Sequence, residues 1–181
     1  LKGFKEGVDV QEICQKYYCL PIPDQVTKIN SNVFKDKLTK SNGANLLLIL
    51  GSNISEIGES AFEGCDGLVG TLNFPSDIRI LGNKAFYGTN FETVNMSPSL
   101  REVGSEVFAN NPSLVTAFVA CQTDEDLLKS FKGKTFRECP KLQLIDLSTF
   151  EQNLPSKLSE LKGDNVMFVP DGVCKSGFIA V

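Results

Sequence analysis

The stretch ISEIGESAFEGC, residues 54–65, combines spaced apolar side chains, a glycine and a phenylalanine in a compact pattern. The same pattern returns as IRILGNKAFYGT at 78–89 and as LREVGSEVFANN at 100–111. A pattern that recurs at intervals of about 20–50 residues is typical of a solenoid, in which each repeat is one structural unit. The sequence therefore predicts a stack of similar units and not a single active site built around this stretch.

The repeated frame has two apolar residues three apart, then Gly or Asn, two variable residues, Ala or Val, and Phe. Four copies fit it closely, beginning at residues 26, 54, 78 and 100, and a looser fifth begins at 128. A sixth copy is indicated only by Leu158 and Leu161. Because the aromatic position follows the frame strictly, we expect it to form a core spine and not a platform for bases or sugars. The spine is Phe34, Phe62, Phe86, Phe108 and Phe136.

The small and polar residues of the frame predict its backbone. Gly and Asn most readily adopt positive φ, so we expect the residue after the second apolar position to turn the chain sharply. These residues are Asn30, Gly58, Gly82 and Gly104. A short helical or 3-10 turn is then expected to carry the Phe inward and to end at a left-handed residue. The predicted terminators are Asp36, Gly64, Gly88 and Asn110.

A second apolar set follows each Phe and ends in alternating apolar positions, as in Leu72 with Phe74. Such alternation indicates a half-buried strand. In the fourth copy, either Ala117 or Phe118 fills the inward position. If the array binds a partner, we expect the outward strand row to do so, although solvated strand residues are the simpler interpretation of the same positions. The candidates are Asn73, Thr93, Asn95, Thr116, Gln143 and Asp146.

Three segments carry a family resemblance: IGESAFEGCDGL (57–68), LNFPSDIRILGNKAF (72–86) and ECPKLQLIDL (138–147). They resemble the BspA-like, or treponemal-type, leucine-rich repeat over about residues 20–148. The resemblance implies an α+β leucine-rich-repeat solenoid, with short parallel strands on the concave face and short helical or 3-10 turns on the convex side. It also implies a secreted or surface-attached protein of a bacterium or protozoan, with adhesion or host-protein binding as its role.

Three regions are expected along the chain. Residues 1–22 are predicted as an N-terminal helical cap, in which Asp9 and Glu12 have the spacing of a capping box. Residues 23–148 hold the repeats, and residues 149–181 are expected to form a degenerate last repeat and a C-terminal cap. That tail either forms a last strand or leads into further sequence.

Composition restricts the classes of function. The net charge of -4 argues against nucleic acid as a partner. The chain has no His, which removes the commonest general base and the commonest zinc ligand, so no catalytic, cofactor or metal residue is predicted. The acidic stretch at 123–126 lacks the Gly and terminal Glu of a calcium loop. The longest apolar run, LLLIL at 46–50, is too short to span a membrane.

The six cysteines include no CxxC pair. Cys65 and Cys139 share one repeat register and are expected to be structural thiols. Cys14 and Cys19 are close enough in sequence to pair as a disulfide. An enzyme that uses Cys121 without His is the weakest of the functional hypotheses.

The sequence thus favours a non-enzymatic, secreted or cell-surface protein that presents a mildly acidic concave strand face to a protein or glycan partner, such as one of a host. It is expected to need no cofactor and to bind no nucleic acid. The alternative is a structural spacer or anchor segment of a larger surface protein, with no ligand of its own.

Overall fold

The computed structural model describes residues 18–119, 134–146 and 167–169. Most of the predicted N-terminal cap, the start of the fifth copy and nearly all of the predicted C-terminal region lie outside these residues. In chain order the elements are β1 (Tyr18–Pro21), β2 (Lys28–Ile29), a 3-10 helix (Lys40–Asn42), β3 (Leu46–Ile49), β4 (Glu56–Ile57), β5 (Val69–Asn73), β6 (Ile80–Leu81), β7 (Asn90–Asn95), β8 (Glu102–Val103), β9 (Thr116–Phe118), β10 (Leu144–Asp146) and β11 (Met167–Val169).

The longer strands form parallel sheets in which each strand comes from a successive repeat. Five of them lie in the order β11-β10-β9-β7-β5, and β1 pairs with β3 in the same parallel sense. A single bridge between Leu46 and Leu68 connects β3 to the start of β5. The parallel strands predicted for a leucine-rich repeat are therefore present, one in each unit.

A second parallel sheet contains only two-residue strands, in the order β2-β4-β6-β8. Each of these strands ends in the second apolar residue of the frame, and all four of these residues are buried: Ile29, Ile57, Leu81 and Val103. Since the register places these residues side by side, the frame itself determines how the units stack.

The predicted aromatic spine is confirmed. The Phe62 and Phe86 rings are stacked with centroids 5.1 Å apart and an interplanar angle of 6°. The Phe34–Phe62, Phe86–Phe108 and Phe108–Phe136 pairs are stacked in the same way, with centroids 5.0, 5.5 and 5.7 Å apart. Phe74 and Phe91 meet Phe86 edge to face. The interior is thus filled by one continuous apolar column.

The helical or 3-10 turn expected around each Phe is not confirmed. In the second copy the chain makes consecutive four-residue turns, closed by hydrogen bonds from Ala61 N to Gly58 O and from Cys65 N to Phe62 O. Every second residue donates instead to the next unit, as Phe62 N does to Ala85 O at 2.8 Å. A helix would direct these donors back along its own chain. Half of the donors therefore join neighbouring units.

The prediction of positive φ at Asn30, Gly58, Gly82 and Gly104 was wrong. The first left-handed residue of each copy lies two positions after the predicted one. It is the third residue of a four-residue turn, the position at which a type II turn requires a positive φ. These residues are Asn32, Ser60, Lys84, Glu106 and Lys134, with φ of 54–60°. The predicted left-handed residues after each Phe are confirmed at Asp36, Gly64, Gly88 and Asn110.

Glycine is needed in the frame for a different reason. A Cβ added to Gly82 would lie 2.4 Å from the backbone nitrogen of Glu59 in the preceding unit. The equivalent distance is 2.6 Å from Gly58 to Ser31 N and 2.5 Å from Gly104 to Asn83 N. The stacked turns thus approach so closely at this corner that no side chain fits between them.

Candidate binding face

The outward side chains of β5, β7 and β9 form one exposed surface, which we call the strand face. Alternation defines it: Leu72, Val94 and Ala117 point inward with no exposed area, and the residues on either side of each point outward. The register places Thr71, Thr93 and Thr116 in one row. It places Asn73, Asn95 and Phe118 in a second row.

The structure brings four of the six predicted binding residues together on this face: Asn73, Thr93, Asn95 and Thr116. Gln143 is exposed but precedes β10, where its backbone N–H donates to Val115 O. Asp146 ends β10, in register with Phe118, and its side chain lies outside the described residues. A role in binding remains a prediction for all six.

Sequence reasoning missed two residues of the face, Thr71 and Phe118. Ala117 and Phe118 were alternatives for the inward position, and the structure buries Ala117 while leaving Phe118 41% exposed. The register that selected Thr116 also placed Phe118 outward, because side chains two apart on a strand share a face. The general preference of Phe for the interior indicates the opposite orientation, and the sequence analysis left both residues as alternatives.

The two asparagines of the face are joined directly. Asn95 Nδ2 donates a hydrogen bond of 2.6 Å to Asn73 Oδ1. Among the described residues, no hydrogen bond engages the two remaining amide groups, Asn95 Oδ1 and Asn73 Nδ2. The pair therefore presents one acceptor and one donor.

The six side chains in the two rows of the strand face are neutral: three threonines, two asparagines and one phenylalanine. β7 also exposes one carboxylate, Glu92, beside Thr93 at the irregularity in its pairing with β5, so the acidic character predicted for the face rests on Glu92 in these strands. Charges elsewhere pair across stacked units at matching positions. Such pairs include Lys28–Glu56 at 2.8 Å, Lys35–Glu63 at 3.0 Å and Lys84–Glu106 at 3.6 Å.

Four side chains in one register of the repeat donate hydrogen bonds to backbone carbonyls of the spine phenylalanines, and we call this set the polar column. Its members are Cys65, Thr89, Asn111 and Cys139. Cys65 Sγ donates to Phe34 O at 2.9 Å, and Cys139 Sγ donates to Phe108 O at 3.2 Å. Each thiol thus satisfies a carbonyl of the preceding unit. Thr89 and Asn111 fill the same register in the other copies and also donate to spine carbonyls.

The thiols of this column are poorly suited to nucleophilic chemistry. Burial raises the pKa of Cys65. Burial also raises the pKa of Cys139 from 9.0 to about 11, and the nearby Glu138 carboxylate adds to the rise. Since the thiolate is the reactive form, both groups are largely inert near neutral pH. Cys121, the other cysteine considered for catalysis, lies outside the described residues.

The Cys139 pKa predicts a dependence of stability on pH. Below pH 9.0 the thiol is protonated in both the folded and the unfolded chain. Between pH 9.0 and about 11 it ionises only when unfolded, so the free energy of unfolding should fall as pH rises through this window. Urea denaturation at pH 8, 9, 10 and 11 measures the effect.

The matched control is Cys139→Thr, because threonine occupies the same register at Thr89 and retains a hydroxyl donor. The free energy of unfolding of this variant should fall less than that of the unsubstituted protein as pH rises through the same window. Parallel loss in both proteins would show that Cys139 titrates normally.

Cys19 is disulfide-bonded. Cys65 and Cys139 are free, and Cys14, which was considered as a partner of Cys19, lies outside the described residues. No group of three potential metal-ligating side chains occurs within the described ranges. Nor does any helix there have the length and apolar character of a membrane span.

Comparison of the sequence with models of known protein families identifies the same repeat. A family model described as the BspA type leucine rich repeat region matches residues 42–158, with six copies. The chain belongs to this family. For a BspA-type repeat protein the frame glycine, the Phe spine and the parallel strands are then features of one repeated unit.

The BspA-type chain also resembles a solved structure, the crystal structure of a leucine-rich repeat protein from Bacteroides ovatus ATCC 8483. The two superimpose with a TM-score of 0.55 at 24% sequence identity. The match covers 74% of this chain but 32% of the other, so this chain spans about a third of that protein's length. The likeness supports the fold. No curated protein matches the chain.

Proposed function

We propose that this BspA-type repeat protein is a non-enzymatic binding module, secreted or displayed at a cell surface, whose strand face contacts a protein or glycan partner, such as one of a host. The observation that carries the proposal is the contrast between interior and face. Five stacked phenylalanines and their neighbours fill the interior, while the face presents uncommitted hydroxyl and amide groups. Family membership adds support, since the family is associated with binding or adhesion.

The proposed location has one chemical support. Cys19 is in a disulfide. Disulfides persist mainly in oxidising compartments, such as the cell exterior and the secretory pathway. A secreted or surface protein keeps such a bond, whereas cytosolic reductants remove it.

A non-enzymatic role is supported by the chemistry of the chain. It contains no His, and the thiols of buried Cys65 and half-buried Cys139 donate to backbone carbonyls. The groups left accessible in the two rows of the strand face are neutral hydroxyls and amides. Such groups bind and orient a partner more readily than they transfer protons or attack a carbon atom.

The test applies the purified chain to a glycan array and to an array of extracellular proteins. Binding to at least one immobilised molecule is expected. The variant Thr93→Arg places a bulky charge in the middle of the strand face and should abolish that binding. The matched control Thr27→Arg alters an exposed threonine beside β2, in the short-strand sheet, and should retain it.

Absence of binding on both arrays would contradict the proposal and favour the alternative, a spacer or anchor segment of a larger surface protein. Equal loss in Thr93→Arg and Thr27→Arg would place the contact elsewhere. Thermal melts of both variants establish that each remains folded.

A further inference from the structure

Phe118 lies on the strand face with neutral polar groups on one side of it. It is 41% exposed, with Asn95 in register on β7, Thr116 two residues earlier on β9 and, on the other side, Asp146 in register on β10. Large exposed apolar side chains elsewhere in the described residues are Tyr18 on β1 and Val33 in a turn. The Phe118 ring therefore belongs to a mixed surface and not to a broad apolar patch.

The asparagine pair beside Phe118 has a defined hydrogen-bonding direction. The bond from Asn95 Nδ2 to Asn73 Oδ1 fixes both amides, which leaves an acceptor on Asn95 and a donor on Asn73. A hydroxyl can both donate and accept a hydrogen bond, so two adjacent hydroxyls on one ligand can engage both groups. The row from Asn73 to Phe118 crosses two strand spacings, about 10 Å, which is the length of a disaccharide.

We propose that the strand face binds a neutral carbohydrate, in which one sugar ring packs on Phe118 and the hydroxyls of the next engage Asn73 and Asn95. This inference rests on the proposed function and names its ligand class. The electron-rich face of an aromatic ring attracts the weakly positive C–H groups on one face of a sugar ring. Thr93 and Thr116 border the same row and add hydroxyl groups that can donate or accept.

Other ligand classes fit this face less well. Phosphate, sulfate and uronic acid groups are recognised by Arg and Lys, and neither residue type is present among the six side chains of the face. Protein interfaces have a core enriched in large apolar and aromatic side chains, whereas β5, β7 and β9 expose one such side chain. A neutral ligand rich in hydroxyls matches the remaining chemistry.

The test titrates the whole chain, by calorimetry, with neutral oligosaccharides of glucose, mannose and xylose, and with oligogalacturonate as an anionic probe. We expect a neutral oligosaccharide to bind and the anionic probe to bind more weakly. Phe118→Ala should lower the affinity about tenfold, and Phe118→Tyr should retain it. Asn95→Ala breaks the amide pair and should also weaken binding.

The matched control is Val33→Ala, which removes an exposed apolar side chain from a turn and should leave the affinity unchanged. Failure of every neutral oligosaccharide to bind, preference for the anionic probe, or equal effects of Phe118→Ala and Val33→Ala would each overturn the proposal. If a protein from the array still binds and Thr93→Arg abolishes that binding, the carbohydrate assignment fails while the binding function stands.

Discussion

Phe86→Ala should lower the free energy of unfolding by about 3–5 kcal/mol, as large-to-small changes of fully buried aromatics do. Phe86 has no exposed area and lies in the middle of the spine. Its ring stacks between Phe62 and Phe108, at 5.1 and 5.5 Å, and meets the edges of Phe74 and Phe91. Truncation leaves a cavity that these four rings cannot close without leaving their own stacked positions. Urea denaturation at pH 7 measures the loss.

The strand face provides a control with the same substitution. Phe118→Ala removes a ring that is 41% exposed and should change the free energy of unfolding by less than about 0.5 kcal/mol. A Phe86→Ala loss that is no larger than that of Phe118→Ala would contradict the role of the spine in holding the units together.

The second large effect is expected at Gly82→Ala, at least about 3 kcal/mol, beyond the usual range of an overpacked core site. The added Cβ would lie 2.4 Å from Glu59 N and 2.6 Å from Gly58 C. Both obstacles are backbone atoms, so no side-chain rotation relieves the contact. Adjacent units must move apart, which stretches the hydrogen bonds that join them. The same denaturation experiment measures this loss.

Gly43→Ala separates this contact from the general effect of replacing a glycine. Gly43 has a φ of 77° and no atom within 4 Å of an added Cβ, so its substitution should cost only the left-handed strain, about 1–2 kcal/mol. If Gly82→Ala costs no more than Gly43→Ala, the corners of the stack are looser than their geometry implies.

The sequence predicted the buried set well because burial repeats with the frame. Residues such as Ile57, Phe62, Leu68 and Leu72 follow from spacing alone, and all have no exposed area. The backbone was harder to predict. Glycine is favoured both where φ is positive and where a Cβ has no room, and the sequence does not separate these two causes at Gly82.

The true left-handed positions include Ser60, Lys84 and Glu106, whose side chains give no such signal. Their conformation is stabilised by hydrogen bonds to the next unit, for example from Lys84 N to Ser105 O at 2.9 Å. The helical turn around each Phe was predicted for a similar reason and is not confirmed, because alternate backbone N–H groups there donate to carbonyls of the next repeat. Propensities describe a segment in isolation and omit such partners.

Strand register was enough to predict which side chains share the candidate site, but not how those side chains contact one another. Register placed Asn73, Thr93, Asn95 and Thr116 on one surface, and the structure agrees. It did not show that Asn73 and Asn95 bond to each other, because that depends on side-chain rotamers. The sequence left Ala117 and Phe118 as alternatives for the inward position, and the structure decides for Ala117.

The backbone hydrogen bonds that join the turns around each spine Phe to the next unit have a thermodynamic consequence. Every second amide, including those of Phe62, Gly64 and Phe86, is protected only while the following unit stays in place. Loss of one unit therefore exposes the amides of its predecessor, and opening spreads along the array from its ends. Under native conditions, deuterium uptake should accordingly be slowest at the central units and progressively faster outward.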